Sequence, residues 1–148
     1  MRAESTSCVA IDTNVWLSAF LNRRGVPAET INRFMERHHP AFSAASFEEL
    51  HSRLWQPKFD RVLSLETRRS LLHDVERVAC WVEIPARLIS QTWCRDTDDD
   101  EFIRVALASG AVRLITGDAD LLTLDPIDDL RLLTPRAALD EIAQGKVP

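Results

Sequence analysis

A short apolar run that ends in an acid constrains the fold of this chain more than any other stretch. Residues 8–11 are small or apolar, Asp12 follows at once, and an apolar segment resumes at Val15. Such an unbroken run indicates a strand buried on both faces, as in a parallel sheet. Open α/β sheets bind ligands at the carboxyl ends of their strands, which makes Asp12 a candidate site residue. A structural role for Asp12 or Asn14, as N-cap of the next helix, explains these residues equally well.

The same pattern returns late in the chain. Residues 111–115 form a second run, apolar except for Arg113, that leads into Thr116, Gly117 and Asp118. Two strand ends that carry carboxylates are harder to explain by helix capping than one. We therefore expect Asp12 and Asp118 to converge at one edge of a sheet.

Strand and helix patterns alternate between these two ends. Amphipathic helices are predicted over residues 28–38 and 65–80, and short strands over 40–44 and 81–84. A last strand over residues 130–133 and a closing helix over 137–143, with Pro135 in its first turn, complete the pattern. The alternation predicts an α/β fold: a three-layer α/β/α arrangement around a mostly parallel sheet of about five strands. The 148 residues suit a single domain, 1–148.

Two more groups of acids can join the cluster. Ser46 begins a predicted helix, and Glu49 stands three residues later, so a capping box accounts for it structurally; only helical phase separates it from Glu48. Residues 96–101 are almost entirely acidic and precede a helical pattern that ends at Gly110. Capping explains some of these acids, but the remainder repel one another unless they stay solvated or share a cation. An EF-hand loop fits poorly, because Glu101 stands where its glycine belongs.

Composition and missing motifs exclude several other classes of protein. The formal net charge of -5 opposes broad attraction to a polyanion, although a bound cation would invert the sign locally. There is no GxGxxG, no P-loop, no GxSxG elbow, and no second Asp of the kind a haloacid-dehalogenase phosphatase carries. The three cysteines form no disulfide or zinc pattern, so reduced thiols are expected. No stretch resembles a signal peptide or a membrane span, and we expect a cytoplasmic protein without a membrane partner.

A cluster made only of carboxylates favours hard divalent cations. With Glu49 and Asp100 joining the two strand-end acids, its oxygen ligands suit Mg²⁺ or Mn²⁺ better than zinc or copper. The chemistry natural to such a centre is hydrolysis of a phosphodiester by a metal-activated water.

Four motifs, taken in order, resemble a PIN domain. They are Asp-Thr-Asn at 12–14, Ser-Phe-Glu-Glu-Leu at 46–50, the acidic segment 96–100 before Phe102 and Ile103, and Thr-Gly-Asp-Ala-Asp-Leu-Leu at 116–122. The likeness covers about residues 9 to 138 and is closest to the PIN-family toxins of bacterial toxin–antitoxin systems. It implies a Mg²⁺- or Mn²⁺-dependent endoribonuclease with an RNA substrate and an antitoxin partner. Homodimers are common in the family, and the sequence itself is silent on whether this chain forms one.

The resemblance also implies roles for individual residues. It assigns metal binding and catalysis to Asp12, Glu49, Asp100 and Asp118, an additional metal ligand to Asp120, and polar support to Thr13, Asn14 and Thr116. The chain departs from the family at Thr97, where proline is usual. This leaves Asp98 or Asp99 as substitutes for Asp100, which we prefer because its spacing to Ile103 and Ala106 matches the helix of related PIN domains.

Contacts with RNA are less apparent in the sequence. Arg23 and Arg24 follow Asp12 in the chain, and Lys58 and Arg61 follow the helix of Glu49, so these four are candidates for phosphate contacts. A solvated surface role is the simpler explanation for each of them.

Two alternatives to a toxin ribonuclease remain. One is a nuclease that processes RNA or acts on structured DNA without being a toxin. The other is a PIN-like module that binds nucleic acid or protein without catalysis, against which the intact set of four acids argues.

Overall fold

A five-stranded parallel sheet forms the centre of the protein. The computed structural model describes residues 7–96 and 99–148. The strands are β1 (Ser7–Ile11), β2 (His38–Phe42), β3 (Cys80–Trp81), β4 (Arg113–Ile115) and β5 (Arg131–Leu133). They lie in the order β3-β2-β1-β4-β5, and every neighbouring pair is parallel. With helices flanking this sheet, the predicted α/β fold class is confirmed.

The helices connect the strands in the alternation that the sequence predicts. They are α1 (Thr13–Leu21), α2 (Val26–Phe34), α3 (Ala44–Leu54), α4 (Leu65–Val78), α5 (Ala86–Ile89), α6 (Asp100–Ser109), α7 (Ala119–Leu122) and α8 (Pro135–Ala143), with a 3₁₀ turn at Pro57–Phe59. Helix α6 packs on β1, β2 and β4, whereas α8 packs on β5 and α2. The closing helix begins with Pro135 in its first turn, as predicted.

The direction in which strands are added to the sheet reverses between β1 and β4. The chain builds β1, β2 and β3 outward in one direction and then adds β4 and β5 on the other side of β1. Ile11 pairs with Ile115 in this central register. The backbone N–H of Asp12 donates to the Ile115 carbonyl at 2.9 Å. The two predicted acidic strand ends therefore leave the sheet side by side, at the switch point where open α/β sheets have their crevice.

The central strands supply the middle of the core. Ile11, Phe42, Leu114 and Ile115 are at most 1% exposed, and Ile103 of α6 is fully buried. Each such side chain contributes about 1.5–3 kcal/mol through removal of its apolar surface from water. The apolar runs of the sequence thus form strands buried on both faces.

Several predicted boundaries are wrong, for local reasons. Helix α2 begins at Val26, earlier than predicted, because Pro27 is suited to a first helical turn rather than to a loop. Strand β3 has two residues instead of the predicted four. The capping box of α3 pairs Ser43 with Ser46, so the predicted box of Ser46 with Glu49 is wrong.

The cysteines and the lengths of the helices bear on the predicted class of protein. Cys8, Cys80 and Cys94 are free thiols, as expected. No helix in the part of the chain that the structure describes is long and apolar enough to cross a membrane.

Candidate active site

An acidic cavity of about 480 Å³ lies where the central strands end. It is lined by residues that follow β1 and β4, by one face of α3 and by the region where α6 begins. The lining residues are Asp12, Asn14, Ala45, Glu49, Arg53, Asp96, Asp99, Glu101, Arg104 and Asp118. The expected convergence of the strand-end acids with an acid from α3 is present in the structure.

Asp12 is held by a side chain from the neighbouring strand end. Thr116, which is fully buried, donates its hydroxyl to Oδ2 of Asp12 at 2.8 Å. The same Thr116 oxygen accepts the backbone N–H of Asp118 at 3.0 Å. Although Asp12 occupies the N-cap position of α1, its side chain makes no capping hydrogen bond to that helix. Its carboxylate is therefore oriented toward the cavity by Thr116.

Glu49 faces the cavity because of its phase on α3. It shares a helix face with Ala45 and Arg53, four residues before and after it, and all three line the cavity. Glu48 is exposed, and its carboxylate accepts the Ser52 hydroxyl at 3.1 Å. The capping box of α3 is formed by Ser43 and Ser46. A role in helix capping therefore does not explain the presence of Glu49.

Asp100 is not among the residues that line the cavity. Asp100 is fully buried, and its carboxylate accepts the backbone N–H groups of Cys94 at 2.8 Å and of Trp93 at 3.2 Å. Asp99, one residue earlier, lines the cavity instead. The geometry thus favours Asp99, one of the two substitutes named from the sequence; the other, Asp98, lies outside the described residues.

The remaining predicted site residues take different positions. Asp120 is exposed and lines an adjacent cavity of about 220 Å³, to which Asp96 and Asp99 also contribute, while its backbone N–H donates to Asp118 Oδ1. Asn14 lines the main cavity. Thr13 is fully buried, and its hydroxyl has no hydrogen-bond partner within the described chain.

Burial and neighbouring acids make the ionised form of Asp12 costly. Burial raises the pKa of the Asp12 carboxyl above its ordinary value, and the negative charges of Glu49 and Asp118 raise it further. The Thr116 hydroxyl and the nearby backbone N–H of Asn14 lower this pKa, but they do not cancel the increase.

Asp99 is affected by the same cluster. Burial again raises its pKa most, and the charges of Asp118, Asp96, Asp12 and Glu49 add to the shift. The carboxylates therefore repel one another across the cavity, and a cation placed among them would remove this repulsion.

The donor chemistry of the cavity suits a hard cation, although the carboxylates are not yet gathered around one point. Every acidic group that lines it offers oxygen ligands, which Mg²⁺ and Mn²⁺ prefer. Over residues 7–96 and 99–148, no three Asp, Glu, His or Cys side chains are placed so that together they could hold a metal ion. Binding of a cation would require these side chains to rotate toward it.

The basic residues of the cavity are not those expected from the sequence. Arg23, Arg24, Lys58 and Arg61 are exposed and do not line it. Arg23 instead lines a separate groove beside α1, α2 and α4.

Arg53 and Arg104 line the cavity, and sequence reasoning missed both. Their helical phase carries the signal: Arg53 is one turn after Glu49, and Arg104 is one turn after Glu101, and both of these acids line the cavity. That signal becomes usable only once the acids facing the cavity are known.

The raised pKa of Asp12 predicts a pH dependence of stability. Between its ordinary pKa of 3.8 and its raised value, the folded protein binds more protons at this group than the unfolded chain does. The contribution of Asp12 to the free energy of unfolding therefore falls as pH rises through that interval. We expect Asp12→Asn, measured in chelator, to gain stability relative to wild type as pH rises from about 3.5 to about 7. Urea unfolding across this range measures the difference, and a difference that shrinks with pH would contradict the burial argument.

The position of Asp100 predicts a structural loss on substitution. Asp100→Asn keeps the volume but replaces one acceptor oxygen with an amide that opposes backbone N–H donors, so the free energy of unfolding should fall by about 1.5–3 kcal/mol. Asp99→Asn is the matched control, since it removes a repelled charge and should leave the metal-free protein as stable as wild type or more so. Equal losses in the two variants would show that the backbone contacts of Asp100 are not what distinguishes them.

Comparison with known proteins gives a family for this fold and cavity. A family model described as "PIN domain" matches residues 8–120. An uncharacterized protein of Methanocaldococcus jannaschii is 33% identical over 118 residues, which cover 78% of this chain and 74% of that protein.

Two solved structures share the fold at low sequence identity. VapBC2 of Rickettsia felis, crystallised with a DNA fragment from its promoter, has a TM-score of 0.59 at 15% identity, covering 84% of this chain and 96% of that one. A protein of Pyrobaculum aerophilum has a TM-score of 0.57, also at 15% identity, covering 94% of this chain and 92% of that one. Together with the family model, which spans most of the sequence, these comparisons show that the chain belongs to the PIN domain family.

Proposed function

We propose that this protein is a metal-dependent endoribonuclease that hydrolyses RNA phosphodiester bonds. One observation carries the proposal: Asp12, Glu49, Asp99 and Asp118 line a single cavity at the switch point of the sheet. Structural roles explain these residues incompletely, because the side chain of Asp12 does not cap α1 and Glu49 takes no part in the capping box of α3. Membership of the PIN domain family supports a nuclease that uses divalent ions.

We infer that the same four carboxylates hold Mg²⁺ or Mn²⁺. When bound, such an ion supplies a water of lowered pKa and offsets negative charge on the phosphate. Asp99 replaces Asp100 in this set because the carboxylate of Asp100 is occupied by backbone N–H groups. Asp120 lines the adjacent cavity, to which Asp99 also contributes, and is an additional ligand in this proposal.

Hydrogen bonds within the chain orient two of these carboxylates. Thr116 fixes one oxygen of Asp12 and leaves the other available to a ligand. Asp118 caps the four-residue helix α7 through Oδ1, which restricts where its carboxylate can point. The acids keep a nucleic-acid strand away until a cation neutralises them, so metal binding should precede RNA binding in the cavity.

The proposal predicts that substitution of Glu49 lowers the rate of RNA cleavage, whereas the same substitution at the adjacent Glu48 does not. Purified protein should cut a mixed pool of tRNA and rRNA with Mn²⁺ or Mg²⁺ but not in chelator. Asp12→Asn, Glu49→Gln and Asp99→Asn should each lower the rate at least about 100-fold, the scale expected when one group that stabilises the transition state is lost. Glu48→Gln makes the same chemical change on the exposed face of α3 and should cut like wild type.

The outcomes of this experiment separate the alternatives. Cleavage that persists in Asp12→Asn would identify a contaminating nuclease. A wild-type protein that neither cuts RNA nor shows a metal-induced rise in Tm would favour a noncatalytic PIN-like module. If Asp100→Asn lost all cutting while remaining folded and Asp99→Asn lost none, the assignment of Asp99 would be overturned.

We further propose that the nuclease is a toxin held inactive by an antitoxin protein and acting in the cytoplasm. The order of its four motifs supports this, because that order is most similar to PIN-family toxins of bacterial toxin–antitoxin systems. The fold that the chain shares with VapBC2 is consistent with it.

The toxin proposal predicts growth arrest that depends on the acid cluster. Induced expression of wild type in a bacterial host should reduce colony formation by at least about tenfold, whereas Asp12→Asn should not, since it lacks the cutting centre. Glu48→Gln should arrest growth like wild type, provided that immunoblots show equal protein levels. Normal growth with active enzyme present would remove the toxin role and leave a processing nuclease.

A further inference from the structure

Two arginines line the acidic cavity, and their surroundings differ. Arg104 donates from Nε to the Leu88 carbonyl at 3.1 Å and from Nη2 to the Gln91 carbonyl at 3.0 Å, and its Nη1 lies 3.6 Å from Glu101. These contacts tie α6 to the end of α5. Arg104 is therefore a structural residue whose donors are already occupied.

Arg53 keeps most of its donors available. A guanidinium has five N–H donors. In the described ranges, Arg53 uses one of them, from Nη1 to Oδ1 of Asn14 at 3.1 Å, and it forms no ion pair of 4.0 Å or less. Its side chain is half-buried, so its position is restricted by its surroundings.

The single hydrogen bond ties Arg53 to the acid cluster. Asn14 stands two residues after Asp12, and Arg53 stands one helical turn after Glu49 on the same face of α3. The contact therefore joins the elements that carry two of the four carboxylates. Among the described residues, no partner takes up the remaining donors of this planar cation on the cavity wall.

We propose that Arg53 binds a phosphate of the RNA strand that lies at the acid cluster, and that Asn14 positions its guanidinium for this contact. The inference rests on the proposed nuclease function and adds a substrate-binding residue to it. Guanidinium matches phosphate oxygens through paired hydrogen bonds, which a lysine cannot reproduce. Arg53 also gives the otherwise repulsive cavity an attractive group for a polyanion.

A structural role offers another explanation for Arg53. A basic residue in the last turn of α3 interacts favourably with the negative end of the helix dipole. Lysine would serve that role as well as arginine. Binding measurements on Arg53→Lys therefore distinguish the two explanations.

The test measures RNA binding without cleavage. In an Asp12→Asn background with Mg²⁺, fluorescence anisotropy would follow a labelled single-stranded RNA 12-mer at several salt concentrations. Adding Arg53→Ala should weaken binding about 10- to 100-fold and reduce the slope of log K against log salt by about 0.7, the share of one phosphate contact. Arg53→Lys should retain most of the slope but bind about tenfold more weakly than arginine.

Arg37→Ala is the matched control for charge. Arg37 is exposed and directly precedes β2, so it lies at the opposite edge of the sheet. Its loss should change neither the affinity nor the salt slope beyond error. Thermal unfolding of every variant confirms that the comparisons are made on folded protein.

The positioning role of Asn14 has its own readout. Asn14→Ala should weaken RNA binding less than Arg53→Ala does. Combined with Arg53→Ala, it should cause no further loss, because Asn14 acts through Arg53. Additive losses would show that Asn14 contributes independently and would overturn its positioning role.

Failure of this inference can be distinguished from failure of the nuclease proposal. If wild type cuts RNA but Arg53→Ala keeps the parental affinity and salt slope, Arg53 does not bind phosphate and the nuclease assignment stands. If the Asp12→Asn parent binds no RNA, its loss of a proposed metal ligand accounts for that, and Arg53→Ala is then compared with wild type by the KM of RNA cleavage. An unchanged KM overturns the inference and leaves the nuclease assignment standing, whereas a wild type that cuts no RNA overturns both.

Discussion

The pairing of β1 with β4 is the interaction on which the rest of the site depends. It sets Ile11 beside Ile115, so the residues that follow these strands leave the sheet together. The hydroxyl of Thr116 can then reach across the strands and hold the carboxylate of Asp12. A shift of one residue in this register would reverse the facing of the side chains, because successive residues of a strand point to opposite faces. The geometry of the acidic cavity and the packing of the core are thus fixed by the same pairing.

Carboxylates repel one another in the cavity where the proposed chemistry occurs. Burial and mutual repulsion raise the pKa of Asp12 and of Asp99, which means that the folded chain bears a cost to keep these acids ionised. The apolar strands that end beneath them offset that cost, since Ile11, Leu114 and Ile115 are almost wholly buried. Such an arrangement is typical of functional sites, where stability is exchanged for reactivity.

Helix α3 shows how much of a site depends on helical phase. Ala45, Glu49 and Arg53 recur every four residues and share the face that lines the cavity, whereas Glu48 is exposed. The phase is fixed by where the helix packs and begins, and here it begins at Ala44, after the Ser43 cap. The sequence indicated a helix and two candidate acids. Packing decided which of them, and which basic residue, faces the cavity.

The sequence by itself determined the fold class, the strand ends that carry acids and the resemblance to PIN domains, because these depend on local patterns of apolar and acidic residues. The pattern of two apolar runs ending in acids was enough to place Asp12 and Asp118 together. Only the tertiary structure shows which of Asp99 and Asp100 lines the cavity, because the two are adjacent in an acidic segment and indistinguishable by composition. The choice depends on which carboxylate the backbone N–H groups of Trp93 and Cys94 occupy. The sequence did not indicate Arg53 either, because its contact with Asn14 joins residues 39 positions apart in the chain.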